Sequence, residues 1–327
     1  MQPSTSIHPV LSDNIAWKVL ARLDEAAAAF RSGPAERAMD VIMESLQEVR
    51  EKMLPGEWAE FARAVREHHD LGRALYSDPL TRRALEKPRG YAGDAVMMDY
   101  VYGIHSCHEA DDQASRLGRE IHRYIQGCFA GQAVCHRRRH IAQLIDRVAA
   151  DRPNAAMLAI AAGHLREAEL SQALGAGRVA RFVALDTDAA SLREVAHHYA
   201  PLGVETVLGS VRHILGRKLS LGEFDLVYAA GLFDYLADNI AQALTARMFE
   251  MTRPGGFILI PNFAPQVRER GYMESFMDWH LLYRDESDMS RLVSGIDPDA
   301  IDHCDIYSDS TGSVVYLLLQ KVLRRRA

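Results

Sequence analysis

The chain has 327 residues, 48% of them hydrophobic and 25% charged, with 38 Lys+Arg against 44 Asp+Glu for a formal net charge of −6. That is ample apolar material for a buried core, and the acidic balance disfavours a nucleic-acid substrate. Four cysteines (Cys107, Cys128, Cys135, Cys304) are too few and too scattered for a disulfide framework or a zinc site, no run approaches about 18 apolar residues, and the start MQPSTSIHPV lacks signal-peptide order, so the expectation is a metal-free cytoplasmic protein with no membrane span.

The first part of the chain reads as helices. Ile15, Val19, Leu20 and Leu23 recur at helical spacing over 14–30, with Ser12 or Asp13 available as the cap and Gly33-Pro34 as the stop. Met39, Ile42, Met43, Leu46 and Val49 repeat the pattern over 35–53, Pro55-Gly56 punctuates it, and a third helix is expected over 58–75. The stretch KPRGYAGDAVMMDYVYG at 87–103 reads as a glycine-rich loop with an aromatic sequel. A further helix over 114–149 carries the run Arg137, Arg138, Arg139 and His140, which reads as a solvated face before an anion site.

After Pro153 the texture changes. The run 156–162 (AMLAIAA) is apolar throughout, as a strand covered on both faces is, and 181–185 (RFVAL) follows after a crossover. Weak (206–208), good (225–229) and strong (256–260) strands come next, with crossover helices over 189–199 and 239–251. HCDIYS and SVVYLLLQKV, joined by Asp309-Ser310-Thr311-Gly312, signal a hairpin. Residues 1–150 are therefore expected to form a helical cap, and 151–327 a doubly wound α/β domain whose ligand sits at the carboxyl ends of its strands.

The loop after the first of these strands is Ala161-Ala162-Gly163-His164-Leu165-Arg166-Glu167, and the second strand ends in Asp186-Thr187-Asp188. An acid there can accept hydrogen bonds from ribose hydroxyls. One glycine stands where a dinucleotide fingerprint has three, which disfavours a pyrophosphate ligand and suits a nucleoside without phosphates.

In this order of features, from about 154 to 322, the chain resembles the class I S-adenosylmethionine-dependent methyltransferases. The resemblance implies a Rossmann-like fold: a mostly parallel seven-stranded sheet with a C-terminal antiparallel hairpin, here with an N-terminal helical cap. It implies S-adenosylmethionine as cosubstrate or substrate. Gly163, with His164, Arg166 and Glu167, would lie by the methionine end, and Asp186 would bind ribose, with Asp188 as its competitor. Gly209, Ser210, Val211 and Arg212 would flank adenine, while the stretch Ala230, Gly231, Leu232, Phe233, Asp234 and Tyr235 would floor the reaction site.

Three further stretches, Arg89-Gly90-Tyr91-Ala92-Gly93-Asp94, the 163–167 loop, and Asn262-Phe263 with GYMESFMDWHLLYRDE, resemble a bacterial subgroup. That subgroup includes the makers of 3-hydroxypalmitic acid methyl ester and the azetidine-2-carboxylate synthases. A sulfonium is already activated for displacement, so positioning, desolvation and an aromatic wall matter more than strong acid–base groups. Tyr91, Tyr100, Phe233, Tyr235, Trp279 and Tyr283 are candidates for that wall, each weighed against ordinary packing.

For methyl transfer to a small or medium-sized metabolite, in secondary metabolism or signalling, His280, Asp278 and His164 are candidate bases. For the alternative, cyclisation to azetidine-2-carboxylate with release of methylthioadenosine, Asn262 or Tyr91 would hold a neutral amine. A nucleoside-binding regulator without turnover is the third reading. Arg89 and Asp94 either stabilise their own turn or help Tyr91 form a lid, and Glu167 either answers a helix dipole or holds an arginine, Arg166 or that of the lid. The oligomeric state is not legible.

Overall fold

The computed structural model describes residues 14–104 and 114–323. The cap expected at Ser12 or Asp13 and the position of Cys107 lie outside these residues. The helices α1 (Asn14–Ser32), α2 (Ala35–Lys52), α3 (Pro55–His68), α4 (Leu71–Leu75), α5 (Pro79–Glu86), α6 (Ala95–Tyr102), α7 (Arg116–Gly127) and α8 (Phe129–Asp151) come first. They are followed by β1 (Ala155–Ile160), α9 (Gln172–Gly175), β2 (Val179–Asp186), α10 (Ala189–Tyr199), β3 (Val204–Leu208), α11 (Val211–Leu215) and β4 (Phe224–Tyr228). Then come α12 (Asp238–Glu250), β5 (Thr252–Phe263), α13 (Arg270–Ser275), α14 (Glu286–Arg291), β6 (Ile301–Ser308) and β7 (Val314–Lys321). The chain forms two compact units, one of residues 1–132 with 267–280 and the other of 133–266 with 281–327. Segment 267–280, with α13, belongs to the same compact unit as the N-terminal helices.

In the helical unit two expected helices are broken. The one expected over 58–75 stops at His69, whose backbone is extended and whose ring Nδ1 accepts the Leu71 N–H at 3.2 Å, so a side chain takes the donor that a continuing helix would use. The one expected over 114–149 breaks at Cys128, also extended, and restarts with Glu269 accepting the Phe129 N–H at 3.0 Å. Segment 267–280 is stitched in firmly: Glu274 accepts from the Trp58 indole and from Arg50, both at 2.6 Å, and from Arg270 at 2.7 Å. Gly271 is required there, since a Cβ would come within 2.6 Å of the Leu46 carbonyl carbon.

In the α/β unit the strand order is β3-β2-β1-β4-β5-β7-β6, with β1 to β5 parallel and β7 antiparallel to both β5 and β6. The expected Rossmann-like sheet with its C-terminal hairpin is present. Every residue of β1 is buried, as its uninterrupted apolar run requires. Because the chain winds outward from β1 through β2 and β3, then returns to place β4 on the other side of β1, the topological switch lies between the carboxyl ends of β1 and β4. Leu158, Ile160, Val183, Val227, Phe233, Ile258 and Leu317 belong to the core beneath it.

Candidate functional site

The loop leaving β1 takes a left-handed backbone at alternate residues, Ala161 (φ 53°), Gly163 (φ 55°) and Leu165 (φ 51°). Two of the three places where glycine would relieve strain are filled by residues with a Cβ, each costing about 1–2 kcal/mol. Leu165 offsets this by full burial, which contributes about 2 kcal/mol. The sparse glycine content of the sequence therefore conceals a glycine-loop geometry.

Asp186 ties this loop to the end of β2. Its carboxylate accepts the Gly163 N–H and the Asp188 N–H, each at 2.8 Å, and its carbonyl accepts the Gly209 N–H at 2.9 Å. Asp188 does different work, capping α10 by accepting from Ala190 N–H, Ser191 N–H and the Ser191 hydroxyl. Ser210 caps α11 in the same way, accepting the His213 N–H, and Val211 packs half-buried against the core.

Behind the loop, the Tyr228 hydroxyl donates to Glu167 at 2.6 Å, and burial pushes the Glu167 carboxyl above the usual carboxylate range. Neither expected partner of Glu167 is the one found: Arg166 bonds Glu169 at 3.1 Å and Glu194 on α10 at 2.9 Å. His164 is buried beside it. The donor set discriminates between ligands. The Gly163 N–H is taken by Asp186, and the short 3-10 turn that follows carries Glu167 and Glu169 in its first turn, where a pyrophosphate needs amide donors and no negative charge. A neutral or cationic nucleoside fits these residues.

After β4, Arg284 fastens the loop. It donates to the Phe233 carbonyl at 2.7 Å, Asn262 Oδ1 at 2.8 Å, the Leu236 carbonyl at 2.6 Å and Asp238 at 2.7 Å. Asn262 is fully buried, and its amide also donates to the carbonyls of Phe263 and Leu282 at 3.0 and 2.8 Å. It holds the framework with every arm of the amide. Phe233 is 0% exposed and lies in the core, so its ring cannot serve as a sulfonium wall; Tyr235 is 39% exposed, Leu232 packs against the core, and Gly231 is half-buried.

Asp234, from the stretch expected to floor the site, and Arg137, from the basic run of α8, stand here. Asp234 is buried, accepts the Phe263 N–H at 2.7 Å, and has its carboxyl pushed up to about 6 by burial despite the opposing charge of Arg137. Arg137 is only 4% exposed, its Nη1 lies 3.9 Å from Asp234, and its guanidinium faces the Phe263 ring at 6.0 Å. The reading of 137–140 as a solvated face is thus corrected. Arg138 bonds the Arg166 carbonyl and Glu169, and His140 bonds Tyr307. A signal was available, since position 137 falls on the stripe of Val134, Ile141, Leu144 and Val148 that α8 buries.

The helical unit carries the remaining candidates. Tyr91 is 38% exposed and Arg89 half-buried in the turn before α6. The arginine that stabilises this turn is Arg83, which forks onto Asp94 at 2.8 and 2.7 Å while Asp94 caps α6. Lys87, at the head of the turn, bonds Asp278, which also pairs with Arg66 at 3.1 Å and with exposed His280 at 3.3 Å. Burial pushes the Asp278 carboxyl up, but these partners outweigh it and hold it below its usual value. Two motif stretches far apart in sequence, the 87–94 turn and 278–280, therefore meet. Tyr100 is buried edge-on to His122, and Trp279 is buried as well. The structure thus builds two clusters: Gly163, Asp186, Glu167, Gly231 and Asp234 in the α/β unit, and Tyr91, Lys87, Asp278 and His280 in the helical unit.

Among the described residues no group of His, Cys, Asp and Glu could hold a metal ion, and no helix is long and apolar enough to cross a membrane. Residues 157–256 match the family model described as Methyltransferase domain, which supports S-adenosylmethionine as cosubstrate. A protein of Bordetella parapertussis described as a possible exported protein is similar over 98% of this chain and 99% of its own, at 12% identity and a TM-score of 0.55, which shows a shared fold. Two methyltransferases with bound S-adenosylhomocysteine are more distantly similar. The magnesium protoporphyrin IX methyltransferase of Synechocystis PCC 6803 has 12% identity and a TM-score of 0.44, covering 59% of this chain and 87% of its own. The N-methyltransferase NodS of Bradyrhizobium japonicum WM9 has 13% identity and a TM-score of 0.41, covering 56% and 86%. No curated protein matches the sequence.

Proposed function

We propose that the chain is an S-adenosylmethionine-dependent methyltransferase acting on a small or medium-sized metabolite. The observation that carries this reading is the Gly163–Asp186–Asp188 hinge. It closes a left-handed loop over the switch point, and the turn that follows is lined with carboxylates where a phosphate ligand needs amide donors. When bound, the cosubstrate supplies a methyl group on a sulfonium. The chain supplies position and charge: Asp186 keeps lone pairs for ribose hydroxyls, and Glu167 and Asp234 add acidic groups near a cation. Arg284 and Asn262 fix the loop after β4 as a rigid floor. In this reading Tyr91 contributes an exposed ring, and His280, tied to Asp278, is the candidate base for an acceptor proton.

Incubating the pure chain with S-adenosylmethionine, with and without a panel of small acceptors, tests the reading. S-adenosylhomocysteine formed only with an acceptor supports it. Methylthioadenosine formed without acceptor overturns it in favour of cyclisation, and saturable binding without either product overturns it in favour of a regulator.

A further inference from the structure

The helical unit holds a groove of about 1290 Å³ that the residues discussed above leave unexplained. Its long wall is the face of α2 that carries Glu36, Asp40, Glu44 and Glu48, and its other walls come from α7, the start of α8 and Arg268-Glu269. Acids four residues apart on a helix stand about 6 Å apart along its axis, so this wall presents negative charge at a regular interval. Acids outnumber bases along the lining, and two of the bases are spent within it, Lys52 on Glu48 at 2.6 Å and Arg116 on Glu120 at 2.9 Å. Arg22 of α1 meets Glu44 and Glu48 at 3.4 and 3.1 Å, in exposed pairs that hold little energy.

An acidic row alone is an ordinary solvated face, and Glu269 is what sets this one apart. Glu269 lines the groove yet is only 6% exposed. Its Oε1 accepts the Phe129 N–H at 3.0 Å, whereas its buried Oε2 makes no hydrogen bond among the described residues. The neighbouring Cys128 thiol is turned to the Ile125 carbonyl at 2.8 Å. Burial pushes the Glu269 carboxyl up, against the pull of the first α8 amides and of Cys128. A buried carboxylate oxygen without a donor is costly, and a cation that reaches it recovers that cost. Asp40 faces the same region: the Tyr124 hydroxyl donates to it at 2.7 Å and feels the charge of both Asp40 and Glu269.

We propose that this groove binds a linear aliphatic polyamine, with one ammonium group held by Glu269 and Asp40 and the next by the acids spaced along α2. The class follows from the spacing: ammonium groups separated by four methylenes stand about 6 Å apart when extended, the same axial interval as acids at i and i+4. The methylenes lie against Met43, Tyr124 and Phe129, which the groove also presents. A divalent metal ion fits less well, since among the described residues no group of His, Cys, Asp and Glu could hold one. The site lies wholly within the helical unit and does not depend on the methyltransferase reading.

The test is calorimetry of the full chain with spermidine, for which one saturable site is expected. Glu269→Gln keeps an oxygen for the Phe129 N–H and should weaken binding about 10- to 100-fold, the loss of one buried charged pair, with an unchanged circular dichroism spectrum. Glu36→Gln and Asp40→Asn, at exposed positions where folding is not at stake, should each weaken it up to about fivefold, and Glu67→Gln, on α3 outside the groove, should leave it unchanged. Absence of saturable heat, a loss of less than about twofold in Glu269→Gln, or equal displacement of spermidine by magnesium chloride at matched ionic strength overturns the site. Tighter binding of a lysine-rich peptide, with the same dependence on Glu269, overturns the assignment to a small polyamine.

Discussion

Replacing Asp186 with Asn tests the hinge at the heart of the site. The carboxylate accepts two main-chain N–H groups at 2.8 Å, one from the β1 loop and one from Asp188. An amide has one acceptor oxygen, so one of those N–H groups would instead face an NH₂ donor. Losing one charge-assisted bond costs about 1.5–3 kcal/mol, and the stranded donor adds a desolvation cost, so the variant should be about 2–4 kcal/mol less stable. Urea denaturation reads this directly, with an accompanying fall in Tm of roughly 5–15 °C. The amide also offers ribose a weaker acceptor, and affinity for S-adenosylhomocysteine should drop about 10- to 100-fold. Stability within about 0.5 kcal/mol of the unaltered chain would refute the hinge, and lower stability at unchanged affinity would refute the ribose contact alone.

The neighbouring acid should behave differently: Asp188→Asn keeps a competent cap for α10 and should leave both stability and affinity close to the original, whereas Asp188→Ala should cost about 1 kcal/mol by denaturation. Arg284→Met strands the Asn262 oxygen and two carbonyls and should destabilise by about 3–5 kcal/mol, which urea titration would show. Asp234 gives a pH signature. Its folded value of about 6 lies above the ordinary 3.8, so the native state holds the proton more tightly than the unfolded chain. Its contribution is therefore full below about pH 4 and is lost as pH rises through 6, a change of about 3 kcal/mol. Denaturation at pH 4 and 7.5 should show Asp234→Asn gaining that much on the unaltered chain. Tyr91→Ala, at an exposed turn position, should leave stability within about 0.5 kcal/mol while lowering kcat more than S-adenosylhomocysteine affinity; full turnover would remove Tyr91 from the reaction.

The sheet was legible because its signals are local. The unbroken apolar run of β1, the Asp-Ser-Thr-Gly turn of the hairpin and the spacing of the crossovers need no knowledge of distant contacts, and the helix over 189–199 emerges with the bounds expected. Helix breaks were less legible, because His69 and Cys128 end their helices through side-chain bonds that periodicity does not carry. The site was half legible. Gly163 and Asp186 announce themselves by their place at strand ends, and the structure joins them by a hydrogen bond. The burial of Phe233 and the pairing of Arg166 with Glu169 and Glu194 were not legible, since a residue type in a given stretch says nothing of which way its side chain turns. Arg83 was overlooked in favour of Arg89 because the fork onto Asp94 comes from the preceding helix and not from the turn. Arg137 was overlooked because a run of charges looks like a surface until one of them is seen to fall on a buried stripe.

The most direct measurement is titration calorimetry of the full chain against S-adenosylmethionine, with NAD as competitor. A hinge of Gly163 and Asp186 beside acidic side chains predicts one saturable site for the sulfonium nucleoside that NAD does not displace. Displacement by NAD, or the absence of any heat with S-adenosylmethionine, would contradict it.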